Sequence, residues 1–215
     1  MSLLGIDIGT TGCKAVVFNL KGEQLAISYL GYNIITKQKG QAEIDCFEII
    51  HKVFQIIKDV ALQTKHDPIQ ALSVSSMGEA LVPVSEDGKS LTNSILGFDN
   101  RGEEFLEILK VNFKDSEVYE ITGNLPGTFY SMAKVAWIKK HQPELYESVS
   151  YFMTWADYIC FMLGGRPVSN HSLASRTLLF DIQNNIWSDK LFEILGLDIN
   201  KFAEPAPSGE PLGKV

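Results

Sequence analysis

The stretch that most constrains this chain is Gly5-Ile6-Asp7-Ile8-Gly9-Thr10-Thr11-Gly12-Cys13-Lys14. Leu3, Leu4, Ile6 and Ile8 form a short apolar run, and Val16, Val17 and Phe18 form another. The two runs read as strands joined by a tight polar turn. Glycine lets a backbone approach a ligand closely because it has no Cβ. Successive backbone N–H groups in such a turn make an anion-binding concavity. Threonine hydroxyls and a lysine add donors suited to phosphate oxygens. Asp7 supplies a carboxylate that suits a divalent cation, directly or through water. The plainer alternative is a hairpin turn with a surface lysine.

The pattern beyond the turn alternates strands and helices. Leu3–Ile8 reads as a strand buried on both faces, Cys13–Leu20 as the next, and Glu23–Tyr32 as a third, so the chain opens as an antiparallel meander. Asp45-x-x-Glu48 resembles a capping box. Behind it Phe47, Ile50, Val53, Phe54, Ile57, Val60 and Ala61 mark one face of an amphipathic helix, with His51 toward solvent. Ile69–Ser75 follows a helical crossover and is free to run parallel to an earlier strand. Leu81–Ser85 and Ser94–Phe98 read as further strands, with Glu86-Asp87-Gly88-Lys89 as a turn between them. Helices are expected over Glu103–Asn112, Ser116–Thr122, Met132–Lys140, from Pro143, over Ser172–Leu179 and over Ser188–Leu195. Tyr151–Leu163 reads as strand then helix, and Trp137 and Trp155 as core residues. The Pro/Gly-rich stretch Pro205–Gly213 has the composition of a connector.

Composition narrows the function classes. A formal charge of −7 argues against a nucleic-acid surface, which needs a basic footprint. Cys13, Cys46 and Cys160 are far apart and odd in number, which points to a reducing, cytoplasmic setting and to no disulfide framework. The four histidines have no zinc-ligand spacing. No apolar run approaches the roughly 20 residues a membrane helix needs, so no membrane partner is expected.

Ligand sites in α/β sheets gather at strand ends. Three strand ends here are polar: the turn from Asp7 to Lys14, the loop Ser75-Ser76-Met77-Gly78-Glu79, and Asp99-Asn100-Arg101. Glu79 suits a polyhydroxylated ligand, since a carboxylate accepts from two adjacent hydroxyls. Otherwise it is a solvated turn residue. Asp99 and Arg101 either face a ligand, pair with each other, or cap the helix that follows.

Three stretches together carry a family resemblance. Asp7-Ile8-Gly9-Thr10-Thr11-Gly12-Cys13-Lys14 resembles the first phosphate loop of the actin-like ATPase superfamily. The run from Phe129 to His141, with Lys134 and Trp137, resembles the lysine–tryptophan signature of the FGGY carbohydrate kinases. Ala174-Ser175-Arg176-Thr177-Leu178-Leu179-Phe180-Asp181-Ile182, with Trp187-Ser188, is similar to another stretch of that family. The resemblance implies a ribonuclease H-like (actin-like ATPase) α/β domain, a mixed sheet flanked by helices. It implies ATP and Mg²⁺ as cofactors and phosphorylation of a hydroxyl on a sugar, sugar acid or polyol.

By that resemblance Asp7 helps hold Mg²⁺, and Gly9, Thr10, Thr11, Gly12 and Lys14 face the ATP phosphates. Ser76, Met77, Gly78, Glu79, Asp99, Arg101 and Phe129 fall in substrate-binding stretches. Glycerol kinases place an arginine before the glutamate, where this chain has Gly78; xylulose kinases place a histidine there. The general-base aspartate of the family is expected beyond Val215, so no catalytic residue is assigned within these residues. The 215 residues are expected to be most of an N-terminal, sugar-binding domain, cut near its end, without the second, nucleotide-binding domain. The longer enzyme is expected to be a homodimer, and the fragment alone inactive. The competing readings are a non-catalytic sugar-sensing domain and an actin-like ATPase that drives a partner.

Overall fold

The computed structural model describes all residues, Met1–Val215. Three antiparallel strands, β1 (Ser2–Ile8), β2 (Gly12–Asn19) and β3 (Gln24–Gly31), form the opening meander. A two-residue strand β4 (Glu43–Ile44) leads into helix α1 (Cys46–Gln63). The crossover returns the chain as β5 (Ile69–Ser76), which lies parallel to β1 and completes a sheet of order β3-β2-β1-β5. Strands β6 (Leu81–Val84) and β7 (Ser94–Ile95) come next, then α2 (Leu106–Asn112), α3 (Asp115–Thr122), α4 (Ser131–His141) and α5 (Pro143–Ser148). Strand β8 (Tyr151–Thr154) runs directly into α6 (Trp155–Met162). With β4, β6 and β7 it makes a second sheet of order β4-β7-β6-β8. Strand β9 (Ser169–Asn170), α7 (His171–Ala174), the hairpin β10 (Phe180–Asp181) and β11 (Ile186–Trp187), α8 (Asp189–Leu195) and β12 (Pro205–Ala206) complete the chain. The Pro/Gly-rich stretch docks rather than dangles: β12 pairs with β9, and Arg166 N–H donates to Leu212 O.

Two hydrophobic cores result, one on each side of the second sheet. Ile6, Ile8, Val17, Ile49, Val53, Val82, Trp155 and Tyr158 belong to the first. Leu81, Leu109, Met132, Val135, Phe152, Phe180, Trp187 and Phe202 belong to the second. Neighbouring residues of β6 and β8 divide between them because side chains alternate faces along a strand.

Several sequence expectations are corrected. Strand β1 is buried on one face only: Ser2, Leu4, Ile6 and Ile8 point into the core while Leu3, Gly5 and Asp7 point out. Helix α1 covers the inner face, and the outer face carries exposed Phe18, Leu25, Ile27 and Tyr29 as well. The buried stripe of α1 is Cys46, Ile49, Val53, Ile56 and Val60, whereas Phe47 is 79% exposed. Apolar residues spread over much of that helix's circumference, and periodicity alone does not select the arc that meets the sheet. Asp45 accepts from Glu48 N–H, but the Glu48 carboxylate pairs with Lys52 instead of closing the box. The Ser94–Phe98 strand shrinks to Ser94–Ile95, because Gly97 and Phe98 leave the ladder to wall a recess. Ser172–Leu179 is one α-turn and a 3₁₀ turn ending at Leu178, whose φ is +63°. That bend returns Leu178, Leu179 and Phe180 to the second core. Trp155 is buried, but Trp137 is only half-buried, stacked on His141 and beneath Arg101.

Candidate functional site

Because β1 and β5 are parallel, their C-terminal ends lie side by side, with Ile8 opposite Ser76. The phosphate-type turn leaves one and the loop 77–80 leaves the other. The two are stitched by Met77 N–H donating to Ile8 O at 2.9 Å. Gly9 N–H donates to Gly12 O at 2.9 Å, Tyr32 N–H to Thr11 O at 3.0 Å, and the Tyr32 hydroxyl to Gly9 O at 2.5 Å. The turn is thus held from outside, while the N–H groups of Thr10 and Thr11 donate to no backbone carbonyl. Thr11, Lys14 and Asp7 are exposed beside them. Gly12 has a second reason to lack a side chain: a Cβ there would lie 2.4 Å from the Tyr29 hydroxyl. Two free N–H groups, two hydroxyls and an ammonium form a donor set that fits phosphate oxygens. No group of three or more metal-ligating side chains exists, so Asp7 fits a cation only jointly with an anionic ligand or water.

A recess of about 130 Å³ opens between this turn and the second polar loop. Thr10, Met77, Glu79 and Phe129 line it, together with Ala80, Leu96, Gly97 and Phe98. Four of the sequence-assigned residues therefore converge from three separate stretches. The last four wall residues carry no polar signal in the sequence.

The remaining assigned residues sit elsewhere. Ser76 Oγ donates to Met77 O and accepts from Ala156 N–H, both at 3.0 Å, which ties the loop to the start of α6. Gly78 lies beneath the Arg176 side chain; a Cβ on it would come within 3.1 Å of Arg176 Cγ. The Asp99 side chain is fully buried. Arg101 donates to it through Nε at 3.0 Å and Nη2 at 2.7 Å, and Ala42 N–H donates at 2.7 Å. Arg101 Nη1 also pairs with Glu43 at 2.8 Å. Burial pushes the Asp99 carboxyl up, but the Arg101 fork and two backbone N–H groups overcome it and hold it below the usual carboxylate range. Of the roles weighed for Asp99 and Arg101, the geometry displays the mutual pair, one layer behind the recess wall.

Two residues of the sequence motifs support the recess without having been assigned to it. Lys134 is buried at 2% exposure on α4, and its Nζ donates to Asp99 O at 2.7 Å and to Thr128 O. Those carbonyls belong to the segments that carry Phe98 and Phe129. Burial lowers the Lys134 ammonium from 10.5 to about 8, against the pull of Asp99 and Glu79. Arg176, 97 residues from Glu79 in sequence, donates to its Oε1 through Nε at 2.9 Å and through Nη2 at 2.5 Å. The available signal for it was its place in the stretch Ala174–Ile182 that carries the family resemblance.

The fold so described is that of the actin-like, ribonuclease H-like α/β domains. Gluconate kinase from Lactobacillus acidophilus superposes with a TM-score of 0.86 at 29% identity, over 95% of this chain and 42% of that one. The sequence profile of the FGGY family of carbohydrate kinases, N-terminal domain, matches residues 2–215, and the chain belongs to that family. It is 26% identical to the xylulose kinase of Staphylococcus xylosus, over 99% of this chain and 44% of the relative. It is 30% identical to the glycerol kinase of Thermococcus onnurineus, over 98% of this chain and 44% of the relative. The chain thus spans under half the length of these relatives. No helix is long and apolar enough to cross a membrane.

Proposed function

We propose that this chain is the sugar-binding half of an enzyme that moves the γ-phosphoryl group of ATP to a hydroxyl of a sugar, sugar acid or polyol. One observation carries the reading: Thr10 of the phosphate-type turn and Glu79 of the second loop line the same recess. An acceptor hydroxyl held by Glu79 is then a neighbour of a phosphoryl group held at the turn. Phosphoryl transfer depends mainly on such positioning and on neutralising charge. Thr10, Thr11, Gly12 and Lys14 would hold the nucleotide phosphates, and Asp7 the magnesium ion that accompanies them. Met77, Phe98 and Phe129 would exclude water and pack on the carbon skeleton. The general base and the adenine pocket are assigned to a second domain of the kind the longer relatives have room for. The isolated chain is accordingly expected to bind a hydroxylated ligand weakly and to catalyse nothing.

The test is a titration of the ¹⁵N-labelled chain with D-xylulose, glycerol and glucitol at high-millimolar concentrations. Amide shifts should concentrate at Thr10, Met77, Glu79, Gly97 and Phe129, and Glu79→Ala should remove them while leaving the melting temperature within a few degrees. A spectrum that none of the ligands perturbs at these residues refutes the proposal.

A further inference from the structure

The recess shows only one charge to a ligand, and a residue outside it decides how that charge is presented. Glu79 lines the recess; Arg176 does not. Arg176 spends Nε and Nη2 on Glu79 Oε1, and Nη1 on Asn124 Oδ1 at 3.1 Å. Its planar face covers the Tyr130 ring, with the guanidinium carbon 4.9 Å from the ring centre. The Tyr130 hydroxyl donates to the same Asn124 oxygen at 3.1 Å. The guanidinium is therefore fixed on three sides and turned toward Glu79. The backbone of Glu79 is fixed too, since Ser131 Oγ donates to its carbonyl at 2.7 Å.

What remains is Glu79 Oε2. It has no hydrogen-bond or ion-pair partner in the protein and lies beside Gly97, where an added Cβ would be 3.6 Å away. That same Cβ would come within 3.2 Å of Phe129 O. Gly97 and Phe129 are walls of the recess, so Oε2 is the oxygen that faces the ligand. An acceptor of this kind takes a hydroxyl donor. A ligand carboxylate beside it meets a like charge, while Arg176 stands outside the recess lining with three of its five N–H groups bonded to Glu79 and Asn124.

We infer that Arg176 is a specificity-determining positioning residue. By engaging Oε1 alone, it orients Glu79 so that the site selects a neutral polyhydroxylated ligand over a sugar acid. The inference rests on the proposed function above, and within that reading it names the substrate class. Gly78 is part of the device: a side chain there would meet Arg176 at its Cγ, so the small residue clears the path by which the arginine reaches its neighbour.

Glucitol and gluconate give the test, because they share a six-carbon hydroxylated skeleton and differ at C1 in charge. Both are titrated into the intact chain and its variants, with affinities read from the Gly97 and Phe129 amide shifts. The wild type should bind glucitol at least about tenfold more tightly than gluconate. Arg176→Gln should lower glucitol affinity about tenfold, and Arg176→Lys should recover part of it. Glu79→Gln should invert the ratio, since Arg176 is then an unmatched cation beside the recess. A merely structural role for Arg176 would weaken both ligands together and leave the ratio unchanged. Equal responses in wild type and Arg176→Gln, or a wild type that prefers gluconate, overturn this inference and leave the recess reading intact. A wild-type chain that responds to neither ligand overturns both. Should Arg176→Gln fail to fold, the unchanged ratio in Glu79→Gln is by itself sufficient to overturn it.

Discussion

Replacing Lys134 with methionine separates two opposing contributions that the structure places on one side chain. Methionine keeps most of the volume and removes the ammonium, so packing changes little. The variant leaves Asp99 O and Thr128 O without their donor. Each unpaired buried carbonyl costs about 1–3 kcal/mol. Against that loss, the native protein carries a buried charge whose pKa has fallen from 10.5 to about 8. The folded pKa lies below the unfolded one, so between these values the unfolded chain binds more protons and stability rises with pH. The burden is full below the folded pKa and fades as pH climbs through the window. Integrating the two titrations gives a charging penalty of about 3 kcal/mol at pH 7 and about 2 kcal/mol at pH 9. With two carbonyls at stake, about 2–6 kcal/mol together, the gap (wild-type minus variant stability) should lie between about −1 and +3 kcal/mol at pH 7 and be larger by about 1 kcal/mol at pH 9. Urea unfolding of both proteins at each pH measures this. The thiols of Cys13, Cys46 and Cys160, all pushed up by burial, also make stability fall as pH rises past 9, but they are common to both proteins and cancel in the difference. A gap that is flat or narrows between pH 7 and 9 refutes the reasoning.

Gly102 sits at φ +88° immediately after Arg101, and a Cβ on it would lie 2.0 Å from Ala133 O, a backbone atom of α4 that has no room to yield. Gly102→Ala should cost about 3–5 kcal/mol by calorimetry; a loss below about 1 kcal/mol would show that the α4 contact is loose. In a kinase that carries this chain with its remaining domain, Asp7→Asn should shift the Mg²⁺ requirement to higher concentration with little change in melting temperature. An unaltered Mg²⁺ titration would remove Asp7 from the metal site.

The sequence was most legible where a local rule acts alone. The opening turn, the crossover into β5 and the Asp45 cap follow from residue types within a few positions of one another. The inner arc of α1 was not legible, because Phe47 and Ile50 are as apolar as Cys46 and Ile49; the sheet's shape, not periodicity, selects between them. Half of the recess was legible through its polar residues, Thr10 and Glu79, and through Met77 and Phe129 by family resemblance. Gly97 and Phe98 were not, since a strand end that peels away looks like a strand that continues. Asp99 and Arg101 show the complementary difficulty. A carboxylate next to an arginine at a strand end reads equally as ligand-facing or self-paired, and Glu43, which joins them from more than fifty residues away, is invisible to local pattern. Arg176 lies beyond any window that would connect it to Glu79.

The Arg176–Glu79 pair has a consequence for how the molecule assembles. Glu79 follows β5, whose partly buried side chains pack on the first core, and Arg176 stands between Ala174 and Leu178 of the second. Their contact joins the two hydrophobic cores across 97 residues of sequence, a long-range closure that carries a high loop-entropy cost in folding. The recess comes into being only when both halves have docked in register. Any ligand held there favours the docked arrangement by mass action. A ligand bound in the recess would therefore link the two cores thermodynamically, stabilising only the arrangement in which both are in place.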